Sequence, residues 1–140
     1  MFRISQYMRE LAKAEATGQY PVVRDRKATG PVVIWNLIRR CNLTCKHCYA
    51  LSADHDYAGE LGTQEVYTVM DDLRAFGVPV LILSGGEPLM RPDLFDIAAR
   101  ARGMGFYIGL STNGTLIDEP MADRVAAAGF DYVGISLDGL

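Results

Sequence analysis

The sequence predicts an α/β fold built on a parallel sheet. Strand-like apolar runs alternate with helical stripes from Pro31 onward, glycines punctuate the stripes, and every chemically unusual segment directly follows a strand-like run. Such alternation favours right-handed crossovers between parallel strands, which lay helices over the sheet and gather ligands at the carboxyl ends of the strands. A doubly wound sheet and a barrel both satisfy the pattern.

Each element has its own signal. Ile4, Tyr7, Met8 and Leu11 recur at helical spacing and predict a short amphipathic helix ended by Gly18, and a loop through Pro21 and Gly30-Pro31 leads onto the main domain. The expected division is an N-terminal helix and linker over residues 1–30 and a core domain over residues 31–140. Val32 to Ile38, rich in β-branched and aromatic residues, reads as the first strand. Thr63 is placed to cap a helix that carries Val66, Val69, Met70, Leu73 and Phe76 and stops at Gly77. Val78 to Leu83 is nearly all apolar, as expected of a strand covered on both faces. Leu94, Ile97, Ala98 and Ala101 form the next helical stripe, ended by Gly103, and Tyr107 to Leu110 reads as the third strand. Asp118 can cap a helix carrying Met121, Ala122, Val125 and Ala126, ended by Gly129, after which Tyr132 to Leu137 reads as the fourth strand.

Hydrophobic residues make up 49% of the chain, enough for a packed core. No apolar run approaches the length of a membrane span and the N-terminus carries no apolar signal segment, so no membrane partner is expected. Reduced thiols without an export signal point to the cytoplasm. The net charge of -3 is unevenly spread: residues 1–46 carry a balance of +6 and the remainder -9. Arg24, Arg26, Lys27, Arg39 and Arg40 form either a solvated basic extension or a surface that attracts an anionic substrate or an acidic electron donor. Aromatics are not interleaved with these cations, so no nucleic-acid partner is expected.

The three cysteines, Cys41, Cys45 and Cys48, crowd into the loop after the first strand. Structural zinc is normally closed by four ligands, and only His47 and His55 could complete such a set. An iron-sulfur cluster held by three thiolates would instead keep one iron open to a small molecule. A disulfide is a third reading, disfavoured by the odd count and by the poor placement of such close neighbours. Beyond the second strand, Gly85-Gly86-Glu87-Pro88 combines two glycines that let backbone approach a ligand, a carboxylate suited to an ammonium group, and a proline that stiffens the exit. Ser111-Thr112-Asn113-Gly114 and Ser136-Leu137-Asp138-Gly139 offer short polar side chains that suit ribose hydroxyls or, equally, local turns and caps.

In this order, the cysteine loop, Gly85-Gly86-Glu87-Pro88 and the two polar loops resemble the radical S-adenosylmethionine (SAM) superfamily, whose mark is a Cys-x-x-x-Cys-x-x-Cys loop after the first strand of a partial (β/α) barrel. The resemblance implies an α/β, parallel-stranded partial (β/α) barrel of the radical SAM type. It implies that Cys41, Cys45 and Cys48 hold a [4Fe-4S] cluster whose remaining iron is chelated by the amino and carboxylate groups of SAM. Gly85, Gly86 and Glu87, followed by Pro88, would receive the ammonium group. Thr112, Asn113, Ser136 and Asp138 would serve the ribose and carboxylate ends, and the backbone near His47 and Tyr49 would lie along the adenine. The implied chemistry is reductive cleavage of SAM to a deoxyadenosyl radical that abstracts hydrogen from substrate, with the electron drawn from a low-potential donor of the flavodoxin or ferredoxin type.

A narrower resemblance, to the NirJ family of heme d1 biosynthesis, rests on the opening Met1 to Leu11, on Gly30 to Tyr49, on Val80 to Leu89 and on Gly109 to Ile117. It implies a siroheme-derived tetrapyrrole substrate, didecarboxysiroheme, from which propionate side chains are removed, and a cysteine-rich C-terminal region with an auxiliary cluster. The sequence supplies about four of the barrel's strands, so the expectation is an incomplete core domain whose fourth strand has an unpaired edge. The alternatives are another radical SAM branch, such as a peptide-modifying or heme-precursor enzyme, and a non-catalytic zinc-binding remnant.

Overall fold

The computed structural model describes residues 4–18 and 30–137. Helix α1 (Ile4–Thr17) ends where Gly18 takes φ 66°, a left-handed conformation that costs glycine little. Of its anticipated apolar stripe, Leu11 is half-buried and Met8 is exposed, while the Ile4 and Tyr7 side chains lie outside the described residues. Strand β1 (Val32–Asn36) then opens a regular succession of α2 (Thr63–Ala75), β2 (Val80–Ser84), α3 (Leu94–Gly103), β3 (Tyr107–Thr112), α4 (Glu119–Ala128) and β4 (Tyr132–Ile135).

The strands form one parallel sheet in the order β1-β2-β3-β4. Trp35, Leu83, Leu110 and Val133 align across it in one row, and Ile34, Ile82, Gly109 and Tyr132 in the adjacent row of opposite facing. Leu81, Leu83, Ile108 and Leu110 pack in a single core with Val66 and Met70 of α2 and Leu94, Ile97, Ala98 and Ala101 of α3, against which Met121 and Val125 of α4 also pack. Helices α2, α3 and α4 therefore cover one face of the sheet. Sequential strand order with one-sided helices is barrel winding, because a doubly wound sheet reverses its order at a switch point. Each fully buried Leu or Ile in this layer contributes roughly 1.5–3 kcal/mol relative to exposure.

The other face is polar where it approaches the carboxyl ends of the strands, with Asn36, Ser84 and Ser111, and apolar further back, where Val32 and Ile34 stand exposed. On the helix-covered face, Val133 and Ile135 of β4 are nonetheless exposed, and among the described residues this strand pairs only with β3. Helix boundaries follow local chemistry. Gly62, rather than Thr63, occupies the cap of α2, and its N–H donates to Glu65 Oε2 at 2.8 Å. At α4, the Asp118 carboxylate accepts from the Met121 N–H at 2.9 Å, and Gly129 closes the helix at φ 67°.

Thr63 has another task, as a donor to Asp93 Oδ2 at 2.5 Å. Asp93 also takes a two-pronged contact from Arg91, at 2.7 and 3.0 Å. Arg91 is buried, and its guanidinium further donates to the Leu37 carbonyl at 2.7 Å and the Leu61 carbonyl at 3.0 Å. One planar cation thus fastens the exit of β1 to the approach to α2 and to the chain entering α3. Burial alone would push the Asp93 carboxyl up, but the hydrogen bonds from Arg91 and Thr63 and the Arg91 charge hold it below the ordinary carboxylate range.

Arg91→Met, which strands Asp93 without its partner, is expected to lower stability by roughly 3 kcal/mol in urea unfolding. Because Asp93 is depressed in the folded state, its contribution is present above about pH 4 and is lost as the pH falls through its lower folded value. Asp93→Asn should therefore unfold at a lower urea midpoint near neutrality and show a shallower loss of stability below about pH 4. An unchanged acid limb would count against this clamp.

Candidate functional site

The loops leaving the carboxyl ends of β1, β2 and β3 are joined by backbone hydrogen bonds and by one buried carboxylate. Beyond β1 the Leu37 N–H still reaches Ser84 O at 2.9 Å, after which Gly86 N–H donates to Ile38 O at 2.6 Å and Glu87 N–H to Arg40 O at 2.9 Å. The approach requires the glycines. A Cβ on Gly85, which holds φ 152°, would lie 2.2 Å from Ile38 O, and one on Gly86 would lie 2.3 Å from Arg40 O and 2.5 Å from Arg39 O. Backbone cannot yield as a side-chain tip can. The Gly85-Gly86 edge nevertheless stays half-buried rather than sealed.

Glu87 is wholly buried. Its Oε1 accepts from the Leu89 N–H at 3.0 Å and the Thr112 hydroxyl at 2.8 Å, and its Oε2 accepts from the Asn113 N–H at 2.8 Å. Every one of these contacts is a donor, as an acceptor-only carboxylate needs. Pro88 begins a single tight helical turn, Pro88–Met90, on which Glu87 is also the cap. Thr112, buried at the end of β3, accepts in turn from the Gly114 N–H at 3.0 Å. Glu87 and Thr112 therefore stand behind the loop surface, where no ligand meets their side chains as placed.

The three thiols are free and unequal: Cys41 is buried, Cys48 half-buried and Cys45 exposed. Cys41 Sγ accepts from the Leu43 N–H at 3.4 Å and from Asn113 Nδ2 at 3.7 Å, and the Cys41 N–H is tied to Ala53 O at 3.1 Å. The Ser52 amide, opposed by burial and aided by the Ala50 and Leu51 amides, holds the Cys48 thiol below the ordinary range. The buried Ser52 hydroxyl completes no hydrogen bond among the described residues, although it lies near enough to Cys48 to help lower that thiol. Cys41 and Cys48, each with N–H donors beside its sulfur, suit ligation of a metal as thiolates. A single zinc ion would hold its sulfurs about 4 Å apart, and among the described residues no three Cys, His, Asp or Glu side chains are gathered closely enough for one ion. Three free thiols on one loop, with N–H donors beside Cys41 and Cys48, are a donor set that an iron-sulfur group can take.

The remaining anticipated residues are spread around this hub. His47 is exposed, and Tyr49, 79% exposed, donates its hydroxyl to Asn36 Oδ1 at 3.1 Å. Tyr49, though not His47, lines a cavity of about 470 Å³ together with Trp35, Asn36 and Glu60. Ser136 is exposed, its N–H bound to Thr112 O at 2.9 Å, whereas Asp138 lies outside the described residues. So do Arg24, Arg26 and Lys27. Arg40, one of the cations expected to draw an anion, is bound to Asp54 at 2.8 Å and Asp56 at 2.9 Å. Arg39 donates to the Ala50 carbonyl and stacks 4.5 Å over the Tyr57 ring, so both cations brace the cysteine loop.

The model of the family described as the radical SAM superfamily matches residues 35–140. Across all of this chain, 53% of residues are identical to a pre-heme d1 synthase of Dinoroseobacter shibae, over 33% of that protein's length. An Fe-coproporphyrin III synthase of Methanosarcina barkeri is 52% identical over 84% of this chain and 29% of its own. The chain therefore spans about a third of the length of these relatives. The solved structure of BtrN in complex with AdoMet shares the fold, with a TM-score of 0.63 at 19% identity, covering 84% of this chain and 49% of that one.

Gly86→Ala is expected to displace the cysteine-bearing segment, lowering stability by about 1–3 kcal/mol and speeding hydrogen exchange of the Cys41 amide. Gly103→Ala, whose added methyl meets nothing within 4 Å, should leave that exchange unchanged. Equal behaviour of the two variants would contradict the close-approach role.

Proposed function

The chain belongs to the radical SAM superfamily, and from that premise we propose that it is the cofactor-binding part of an enzyme of heme d1 synthesis, one that removes propionate side chains from a siroheme-derived tetrapyrrole. The observation that carries this reading is the match to pre-heme d1 synthase, which extends over 100% of this chain. The Fe-coproporphyrin III synthase, nearly equal in identity, covers 84% of it and supports the broader tetrapyrrole class.

In this reading Cys41, Cys45 and Cys48 hold a [4Fe-4S] cluster. When bound, the cluster supplies the electron that cleaves SAM reductively. The half-buried Gly85-Gly86 backbone is the surface offered to the SAM ammonium, and the negative charge of Glu87 behind it favours that cation; among the described residues no Lys or Arg pairs with this carboxylate. The backbone at His47 and Tyr49 lies along the adenine, and Ser136 and Asp138 serve the ribose and carboxylate ends. Thr112 supports Glu87. Residues 31–140 constitute the N-terminal part of the radical SAM core, preceded by a helix and linker. The electron donor is a low-potential flavodoxin or ferredoxin. Among the described residues no helix is long and apolar enough to cross a membrane, and free thiols suit the reducing cytoplasm.

Anaerobic incubation of the full protein with SAM, a reductant and either didecarboxysiroheme or iron coproporphyrin III tests the substrate. Loss of propionate groups from didecarboxysiroheme is the expected result, and turnover of the coproporphyrin alone would overturn the heme d1 assignment. Replacing Cys41, Cys45 or Cys48 with Ala should abolish cluster absorption and reduce bound iron and sulfide to background. Retention of a four-iron cluster in any of the three variants would remove that cysteine from the ligand set.

A further inference from the structure

Asn113 uses its whole hydrogen-bonding capacity within the protein. Its Oδ1 accepts from the Thr115 N–H at 2.9 Å and from the Thr115 hydroxyl at 2.7 Å. A backbone N–H can only donate, so this contact fixes which end of the amide is oxygen and turns the NH2 end toward the cysteine loop. There Nδ2 donates to Asn42 Oδ1 at 3.0 Å and to Cys41 Sγ at 3.7 Å. Asn42 Nδ2 in turn donates to the Thr115 hydroxyl at 2.8 Å and closes a ring between the loop after β1 and the loop after β3. The Asn113 backbone is itself pinned, its N–H held by Glu87 Oε2 at 2.8 Å. Two acceptor positions and two donor hydrogens are all spent, which leaves the amide nothing for a ribose.

We propose that Asn113 is a positioning residue for Cys41: the ring with Asn42 and Thr115 aims its amide at the Cys41 sulfur, restrains that thiolate, and raises the reduction potential of the group it ligates. This rests on the cluster reading above. An N–H donor aimed at a ligand sulfur favours the more negative, reduced state, as hydrogen bonds to cluster sulfurs do. Of the three thiols, Cys41 is the buried one and the one this ring touches. Glu87 acts at one remove, by fixing the Asn113 backbone. The device thus links the β2 exit, the β3 exit and one cluster ligand through a single side chain.

The test compares Asn113→Leu and Asn113→Asp with the unsubstituted protein in two measurements. In anaerobically reconstituted full-length protein, redox titration followed by EPR reads the ratio of reduced to oxidised cluster at fixed applied potential. Asn113→Leu should lower that ratio on the order of fivefold, the size of one hydrogen bond's net contribution, and Asn113→Asp should lower it further, since its carboxylate opposes the thiolate. In metal-free protein, alkylation by iodoacetamide read by peptide mass should be several-fold faster at Cys41 in Asn113→Leu, with Cys45 and Cys48 unchanged. Unchanged Cys41 labelling, equal acceleration at all three cysteines, or equal potentials in loaded variants would overturn the proposal. Absence of any cluster signal in the unsubstituted protein strikes the cofactor reading instead, and the labelling comparison still decides the positioning role.

Discussion

Everything at the carboxyl end of the sheet depends on how closely the exit of β2 lies against the exit of β1. The Gly86 and Glu87 amides bind the Ile38 and Arg40 carbonyls at 2.6 and 2.9 Å, a distance that leaves no space for a side chain on either glycine. Cys41 follows Arg40 directly, so the first thiol takes its position from this contact. Glu87 follows Gly86 just as directly and is thereby turned into the interior, where it gathers Thr112 and Asn113. A substitution that widens the gap would move the thiol and the carboxylate together.

The loop that carries the cysteines is held unevenly, and the unevenness has a chemical sense. Its first cysteine, Cys41, is buried and hydrogen-bonded at both backbone and sulfur, whereas Cys45 is exposed and Cys48 half-buried. Outside the ring with Asn113, the loop is braced by Arg40 on Asp54 and Asp56 and by Arg39 over Tyr57, contacts made largely at the surface and individually weak. Cys41 is fixed at both backbone and sulfur, Cys48 lies beside the Ser52, Ala50 and Leu51 amides, and Cys45 stands exposed.

Most of the architecture was legible because periodicity is a local signal. Leu94, Ile97, Ala98 and Ala101 all reached the core as their spacing required, and Asp118 and Gly129 marked both ends of α4. The end of β1 was not legible. Ile38 has strand composition, yet its carbonyl leaves the ladder to meet Gly86, a partner known only once the fold brings β2 alongside. Thr63 has the residue type and place of a cap, a local signal, but its hydroxyl serves Asp93 thirty residues on. At the site, the residue types and their order could be read from the chain, but their facing could not. Glu87 looks like a ligand-facing carboxylate in sequence and is an internal tie in the fold. Arg91, Asn42 and Thr115 carry no motif of their own; they matter through contacts with Leu37, Asn113 and Cys41's neighbourhood that only the sheet creates.

The account turns on whether the cysteine loop and the Gly85-Gly86 edge together present one open iron to the amino group of SAM. Electron-nuclear double resonance on the reduced protein, with SAM isotopically labelled at its methionyl nitrogen, addresses that contact directly. The account predicts a hyperfine coupling between the labelled nitrogen and the cluster that appears on addition of SAM. A four-iron cluster that forms and reduces normally, yet shows no such coupling at saturating SAM, would contradict it.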